Sequence, residues 1–162
     1  GFNRGITPAS LLTSKEDVSY ALNENINLDA TSTFRGFGNS ISGAYLANFD
    51  GLNHTIDGLS LTSFFDPINK SYVGLFRDVR SQKASPQEFK NLTLTNASVT
   101  ALNNDPSDTI MAGFLIGHAA GPQNTPLMIS NITRSGNFEI VFYTRIFRGI
   151  WKGSVIFIFR FT

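Results

Sequence analysis

The sequence predicts an all-β protein and, within that class, a right-handed parallel β-helix with a short N-terminal cap. Strand-forming residues such as 15 Phe combine with turn-forming residues such as 14 Gly and abundant Asn, Ser and Thr. Short strand-like segments also repeat, with the same side chains at corresponding positions. An antiparallel β-sandwich of short strands is the alternative, placed second because it does not explain the recurring side chains.

Length and charge exclude several classes of function. The 162 residues suffice for one domain with a sizeable core. Charged residues make up 15% and the formal net charge is +1, so there is no electrostatic footprint for nucleic acid or for an anionic membrane. The absence of Cys excludes disulfides, thiolate zinc sites and a cysteine nucleophile. No apolar run is long enough for a transmembrane helix, so we expect no membrane insertion by this segment.

The main repeat has its first copy at residues 49–61, FDGLNHTIDGLSL. Its ending recurs at residues 89–96, FKNLTLTN, and at residues 129–136, ISNITRSG. We align the three copies, at spacings of 33 and 40 residues, on Ile56/Phe89/Ile129, Gly58/Asn91/Asn131 and Leu59/Leu92/Ile132. Side chains expected to point inward and to stack about 4.8 Å apart are Ile56, Leu59, Leu61, Phe89, Leu92, Leu94, Ile129 and Ile132.

A second repeat interleaves with the first, because residues 72–76, YVGLF, match residues 111–117, MAGFLIG. Glycines such as Gly74 and Gly113 would let the backbone turn a corner without a Cβ clash. Asn91 over Asn131 would form an asparagine ladder, in residues that tolerate the left-handed conformation. Asp50-Gly51 predicts a corner in the first copy. The remaining residues that we assign to the structural repeat are Gly51, Asn53, Gly58 and Gly117.

The chain divides into an N-terminal loop and cap (1–28), coils (29–137) and an atypical tail (138–162). In the cap, Ser14 as N-cap predicts a short helical turn over residues 14–22. Residues 26–28 then predict a strand. In the tail the Asn, Ser and Thr texture disappears, and residues 155–159, VIFIF, would be aggregation-prone if exposed. Our hypothesis is a disrupted or out-of-frame ending, and the alternative is a terminal hairpin around Gly149 or Gly153.

Residues 49–59 resemble the F-D-G-x-N-H-T-I-x-G-L segment of large bacterial surface proteins of the filamentous-haemagglutinin and autotransporter-adhesin type. Residues 72–76 and 112–117 are similar to the glycine-leucine-hydrophobic-glycine (GLUG) repeat of such proteins, and residues 20–28, YALNENINL, to a segment that precedes the first coil. The resemblance covers about residues 18–136. It departs from the family at Arg77, which stands where the first GLUG copy has its second glycine, and in the tail.

The resemblance implies a β-helical stalk or passenger that acts in adhesion, secreted or associated with the outer membrane at the bacterial cell surface. A host-surface protein or glycan would be its partner. Because the chain starts at Gly1 rather than Met, we expect an internal fragment of a longer protein.

Residues with catalytic chemistry are scattered. His54 lies between Asp50 and Asp57, but neither it nor His118 shows the spacing of a helical metal motif, so we interpret His54 as a hydrogen-bonded or solvated residue at a turn. A glycosidase needs two carboxyl groups about 5 to 9.5 Å apart on one cleft. The acids Asp50, Asp57, Asp66 and Asp78 do not recur at matched positions, so we interpret them as turn-forming. We expect no catalytic residue, no cofactor and no metal.

The asparagine sequons and a group of aromatic residues each have a structural and a functional interpretation. Five Asn-x-Ser/Thr sequons occur, at Asn53, Asn69, Asn91, Asn96 and Asn131. Asn91 and Asn131 are assigned to the ladder, which leaves Asn69 as the possible glycan acceptor. The aromatic residues Phe64, Phe65, Tyr72 and Phe76 are expected in the core rather than on a sugar-stacking platform.

We therefore expect a non-enzymatic binding segment of an adhesin, with contact loops at residues 62–71, 80–88 and 101–109. A β-helix carbohydrate-active enzyme, and a truncated product without independent function, are the alternatives.

Overall fold

The computed structural model of the chain describes residues 19–29, 34–38, 43–63, 70–81, 85–102, 109–121, 127–143, 148–151 and 159–161. These residues form twelve β-strands and no helix, so the predicted all-β class is confirmed. The strands are β1 (Ser19–Ala21), β2 (Ile26–Asn27), β3 (Asn48–Asp57), β4 (Ser60–Thr62), β5 (Lys70–Val73), β6 (Phe76–Arg80), β7 (Gln87–Leu102), β8 (Thr109–Ala112), β9 (Ile116–Ala120), β10 (Leu127–Tyr143), β11 (Arg148–Trp151) and β12 (Phe159–Phe161). No helix in these ranges is long and apolar enough to cross a membrane.

Most strand pairs are parallel and are distributed over three sheets. The largest sheet has the order β1-β3-β7-β10-β11, with β2 added to β3 and β4 to β7. The parallel pairs β5–β8 and β6–β9 belong to two smaller sheets. Among the described strands only β11 and β12 run antiparallel to their partners, β10 and β8. This is the opposite of the pairing that the alternative, an antiparallel sandwich, requires.

Successive passes of the chain are in register at a step close to 40 residues. Phe49, Phe89 and Ile129 occupy one row across β3, β7 and β10. The 40-residue part of the predicted alignment is therefore confirmed. Its 33-residue part is wrong, because Ile56 pairs with Leu94 and not with Phe89.

The error arises at the corners, where the sequence pattern is ambiguous. The backbone is left-handed at Leu52 and Asn53 in β3, but at the single residue Asn91 in β7. Three residues separate Asp50 from His54 where one separates Lys90 from Leu92, so the first pass carries two extra residues. Gly58 (φ 72°) and Asn91 (φ 55°) are both left-handed and each precedes a buried leucine, so the local pattern does not distinguish them. The register instead places Gly58 in a second corner row, with Asn96 and Gly136.

Each corner also resets the alternation of buried and exposed side chains. A strand normally buries every second residue. In β7 the buried positions shift by one residue after Asn91 and again after Asn96, and therefore fall at Gln87, Phe89, Leu92, Leu94, Ala97, Val99 and Ala101. In β7, one left-handed residue at each corner thus keeps the apolar side chains of the three segments 87–90, 92–95 and 97–102 directed at the same core.

The predicted asparagine ladder is present. Asn131 donates from Nδ2 to Asn91 Oδ1 at 2.9 Å and to Asn53 Oδ1 at 3.2 Å. Asn91 in turn donates to Asp50 Oδ1 at 3.0 Å, and the same oxygen accepts the Leu52 backbone N–H at 2.9 Å. Asp50 therefore stabilises the corner of the first pass, and the corner lies at Leu52–Asn53, just after the predicted Asp-Gly pair. We call Asn53, Asn91 and Asn131 the asparagine row.

We expect Asn91→Ala to lower the free energy of unfolding by about 2 kcal/mol. Alanine loses two side-chain hydrogen bonds and must adopt a φ of 55°, which its Cβ disfavours. The matched control is Asn91→Gly, which loses the same bonds but accepts the conformation, so its cost should be about half as large. Urea unfolding of the three proteins measures both values. Equal losses of unfolding free energy in the two variants would show that the left-handed backbone at position 91 contributes nothing to the cost of Asn91→Ala.

The core is a single hydrophobic cluster to which all three sheets contribute. At its centre Phe76, fully buried, contacts four aromatic rings, those of Phe37, Tyr45, Phe49 and Phe89. The predicted inward residues Ile56, Leu59, Leu61, Phe89, Leu92 and Leu94 are buried, whereas Ile129 and Ile132 are partly buried against the cluster.

The N-terminal prediction is partly wrong. Residues 19–21 form strand β1 beside β3 rather than a helical turn, with Tyr20 opposite Phe49. Leu22 is buried, and its N–H donates to Asp50 O at 2.9 Å, so pairing with β3 outweighs the weak local preference for a helix. Strand β2 confirms the strand predicted over residues 26–28, at Ile26–Asn27. Residues 14–18 lie outside the described ranges.

The tail is joined to the rest of the sheet. Strand β10 continues without a break across the predicted boundary at 137/138, and Phe138 and Ile140 are buried. Strands β10 and β11 pair antiparallel, as the alternative terminal hairpin requires, but Gly149 pairs with Phe142 within the strands. Of the described tail residues, 138–143 and 148–151 thus extend the largest sheet, and 159–161 pair with β8.

Candidate functional site

A group of hydroxyl and carboxyl side chains lies on the outer side of the largest sheet, between the two corner rows. It comprises the outward residues of 54–57, 92–95 and 132–135, and we call it the central facet. Its members are Thr55, Asp57, Thr93, Thr95, Thr133 and Ser135. Neighbouring strands place such side chains about 4.8 Å apart, and i,i+2 positions along a strand about 6.7 Å apart.

Hydrogen bonds hold the facet in place. The hydroxyls of Thr93 and Thr133 lie 2.8 Å apart, and the Thr95 hydroxyl donates to Asp57 Oδ1. Asn96, from the second corner row, donates to the same Asp57 oxygen at 2.9 Å. The result is an ordered array of small polar groups whose positions are set by the strand register, and such an array is suited to binding a polar ligand by many hydrogen bonds.

Two half-buried carboxylates of this sheet, Asp50 and Asp57, are stabilised as anions. The Thr95 hydroxyl, then the Asn96 amide and the Gly58 N–H, lower the pKa of Asp57. The Leu52 N–H, with smaller contributions from Asn91 and Lys90, lowers the pKa of Asp50. A glycosidase acid needs the opposite shift, toward a raised pKa. These two carboxylates are therefore suited to accepting hydrogen bonds and not to donating a proton.

A second polar group joins β6 and β9. The side chain of Asp78 is completely buried, and its Oδ1 lies 2.8 Å from Nδ1 of His118. The ring of Tyr72 stacks on His118, with centroids 4.3 Å apart and planes 9° apart. Asp78 Oδ2 lies 3.2 Å from Arg80 Nη2, a charge contact without hydrogen-bond geometry. We call Asp78, His118, Tyr72 and Arg80 the Asp–His cluster.

Burial alone would raise the pKa of Asp78, but the bond from His118 and the charges of Arg80 and His118 outweigh it and lower the pKa. A carboxylate that holds one ring nitrogen of a histidine is the orienting half of a catalytic triad. In the part of the chain that the structure describes, no Ser or Thr hydroxyl hydrogen-bonds to His118. The geometry recorded is therefore that of a buried polar pair packed under an aromatic ring.

The interpretation of Asp78 as a turn-forming acid was wrong, because Asp78 is completely buried within strand β6. Asp78 and His118 were not recognised as a pair from the sequence. They pair directly in the β6–β9 register. The signal was in the sequence, because these two residues are 40 positions apart, the same step that relates Asn91 to Asn131. Applying that step to every ionisable residue would have found the pair.

The other candidate residues are placed as follows. His54 is half-buried, and its Nδ1 lies 3.3 Å from Asn25 Oδ1, in agreement with the hydrogen-bonded interpretation. Tyr72 and Phe76 are buried, as expected. Phe64, Phe65, Asp66 and Asn69 lie outside the described residues, as does most of the predicted contact loops. Within the described ranges, no three His, Cys, Asp or Glu residues are grouped to hold a metal ion.

Comparison of the chain with protein-family models, with curated proteins and with solved structures finds no match.

Proposed function

We propose that this chain is a non-enzymatic binding segment of a bacterial surface-exposed or secreted adhesin, built as a right-handed parallel β-helix. Parallel pairing at a near-constant 40-residue step supports the solenoid, as does a core shared by all three sheets. In such a fold the coils form a rigid support, and the ligand is bound by side chains on the outer faces.

The structural roles of the motif residues support the resemblance to filamentous-haemagglutinin-like and GLUG-containing adhesins. In the first motif Asn53 and Gly58 are left-handed corner residues, and Ile56 and Leu59 are core residues. In the GLUG-like motif a Cβ on Gly74 would lie about 2.5 Å from the Gly117 backbone N, so two passes approach closely where both carry glycine. Each motif residue therefore has a physical reason to recur in a stacked fold.

The proposal that this segment binds a ligand is based on the central facet. Its hydroxyls and carboxylate are outward, ordered and spaced by the strand register, as a glycan or a polar protein surface requires. The partner that fits this chemistry is a host-surface glycan or glycoprotein, bound by many weak hydrogen bonds.

Binding of the purified chain to an array of host-type glycans and to immobilised host-surface glycoproteins tests the proposal. The triple variant Thr55→Val, Thr93→Val, Thr133→Val keeps the side-chain shape and removes one row of hydroxyls. We expect at least a tenfold loss of binding, because each ligand hydrogen bond contributes about 1 kcal/mol. The matched control, Thr62→Val with Thr100→Val, changes the same residue type outside the facet and should bind normally. Failure of the unmodified chain to bind any array component, or equal loss in both variants, would contradict the proposal.

A carbohydrate-active enzyme is the second candidate, and the Asp–His cluster is the observation that favours it. Release of reducing ends from polysaccharides by the chain, abolished by Asp78→Asn in a variant that remains folded, would replace the binding proposal with this one. The lowered pKa values of Asp50, Asp57 and Asp78 favour the non-enzymatic function.

A further inference from the structure

The two ends of the largest sheet are covered to different extents. At the first pass, strand β3 is covered by β1, by β2 and by the side chain of Asn25, whose Oδ1 accepts the Thr55 N–H at 2.8 Å. At the last pass, β11 pairs with β10 at residues 140–143. Among the described strands, none pairs with residues 127–137 on that side of β10.

Solvent exposure agrees with this difference. Phe89 and Leu92 of β7 are buried, whereas Ile129 and Ile132, which follow them in the same rows, are only partly buried. Met128 is 47% exposed. An unpaired strand that carries apolar side chains leaves both its backbone N–H and C=O groups and its apolar surface in water, so it is a template for pairing with another strand.

The asparagine row ends in an unused acceptor. Asn91 Nδ2 donates to Asp50 Oδ1, and Asn131 Nδ2 donates to Asn91 Oδ1, so each amide bonds toward the preceding pass. Within the described residues, no group donates to Asn131 Oδ1. The amide of an asparagine one strand spacing further along, about 4.8 Å away, would donate to this oxygen and continue the row.

Arg134 limits the length of this surface. It lies in the row of Ile56 and Leu94, which are buried core residues, yet it is exposed. A charged residue at an inward position opposes the pairing of a further strand. The apolar rows therefore end before Arg134, and we call the preceding residues, 127–133, the open edge.

We propose that the open edge binds an extended segment of another protein as an added parallel strand, and that this segment carries an apolar residue, any residue, Asn and an apolar residue in succession. The rows define this pattern, because Ile129 and Ile132 need apolar neighbours and Asn131 needs an amide donor. The parallel direction continues that of β3, β7 and β10. In strand addition, main-chain hydrogen bonds provide affinity and alternate side chains provide selectivity.

A second copy of this chain fits the open edge less well. If two copies paired through their open edges, each would present Asn131, whose Nδ2 already donates to Asn91 and to Asn53. Both amide hydrogens are then in use, and the exposed Oδ1 of each copy would gain no donor. A separate segment with its own asparagine supplies that donor. This binding uses the strand edge and does not depend on a ligand at the central facet.

The chain itself supplies a probe, because residues 87–95, QEFKNLTLT, contain this pattern. The isotope-labelled whole chain is titrated with the end-blocked peptide and followed through its backbone amide resonances. We expect saturable shifts confined to the open edge at millimolar peptide, with Phe89 of the peptide beside Ile129. The Asn91→Gly peptide keeps the left-handed conformation but lacks the donor, so it should bind about fivefold more weakly. No saturation, saturation elsewhere, or equal affinity of the two peptides would overturn the proposal.

Variants of the chain test the open edge from the other side. Asn131→Gly accepts the φ of 50° and removes the acceptor, so it should bind the unmodified peptide about fivefold more weakly and should no longer distinguish the two peptides. Met128→Lys adds a charge at an exposed position, so it should weaken binding while the chain stays folded. Ser60→Ala, exposed in β4, is the control and should bind normally.

Unchanged peptide binding in both Asn131→Gly and Met128→Lys would overturn the proposal. Sedimentation of the unmodified chain at increasing concentration provides the last comparison. We expect a monomer throughout. Dimerisation that both variants remove would assign the open edge to a second copy of the chain and would also overturn the proposal.

Discussion

Replacing Phe76 by alanine is expected to lower the free energy of unfolding by about 3–5 kcal/mol, the usual range for a fully buried phenylalanine. The ring has no solvent exposure, and its centroid lies 4.6 Å from that of Phe89 and 4.8 Å from that of Tyr45. Its loss removes apolar contacts from a cluster that joins the sheets, and the stacked strands around it are held in register, so the space cannot close fully.

Thermal and urea unfolding of three proteins measure this effect. Phe76→Leu retains most of the apolar volume and should cost less than half as much as the alanine variant. Leu52→Ala is the surface control, since Leu52 is 50% exposed, and its effect should be below about 1 kcal/mol. A loss for Phe76→Ala as small as that for Leu52→Ala would contradict the position of Phe76 at the centre of the core.

Replacing His118 by phenylalanine is expected to cost about 3 kcal/mol at neutral pH, because it leaves the buried carboxylate of Asp78 without its hydrogen-bonded partner. Phenylalanine can still stack on Tyr72, so the change isolates the lost Nδ1–H bond. Asp78→Asn in the His118→Phe background removes the buried charge and should recover part of the loss. If the double variant is no more stable than His118→Phe alone, the unpaired buried charge of Asp78 is not the cause of the lost stability.

The pH dependence of unfolding of the unmodified chain and of Asp78→Asn provides a second measurement of the contribution of Asp78 to stability. Folding lowers the pKa of Asp78, so the folded state binds fewer protons and gains stability above the unfolded value of about 3.9. That contribution is complete at neutral pH and is lost as the pH falls through the lower folded pKa. We therefore expect an unfolding midpoint that is level above about pH 5 and declines below about pH 4, with a shallower decline in Asp78→Asn. An identical decline in the two proteins would assign acid sensitivity to other carboxyl groups.

The all-β class and the stacking of Asn91 on Asn131 could be predicted because they depend on local chemistry. Alternation around Leu92 and Leu94 sets which side is buried, and asparagine tolerates the left-handed corner at position 91. The first pass was misaligned because its corner has two more residues, and Gly58 satisfies the same local pattern as Asn91. A tolerance for the left-handed conformation is a local property, and it does not specify which corner a residue occupies.

The candidate sites depend on distances across the sequence. Asp78 and His118 carry no local signal, since each is an ordinary polar residue among strand-forming neighbours. Parallel pairing at a 40-residue step brings them within 2.8 Å and buries the carboxylate.

Local sequence thus accounts for the strands, their buried sides and their corners, because backbone preference and hydrophobic alternation act over a few residues. Register and the buried Asp78 charge were decided by tertiary structure, because each needs side chains about 40 positions apart to meet in one row.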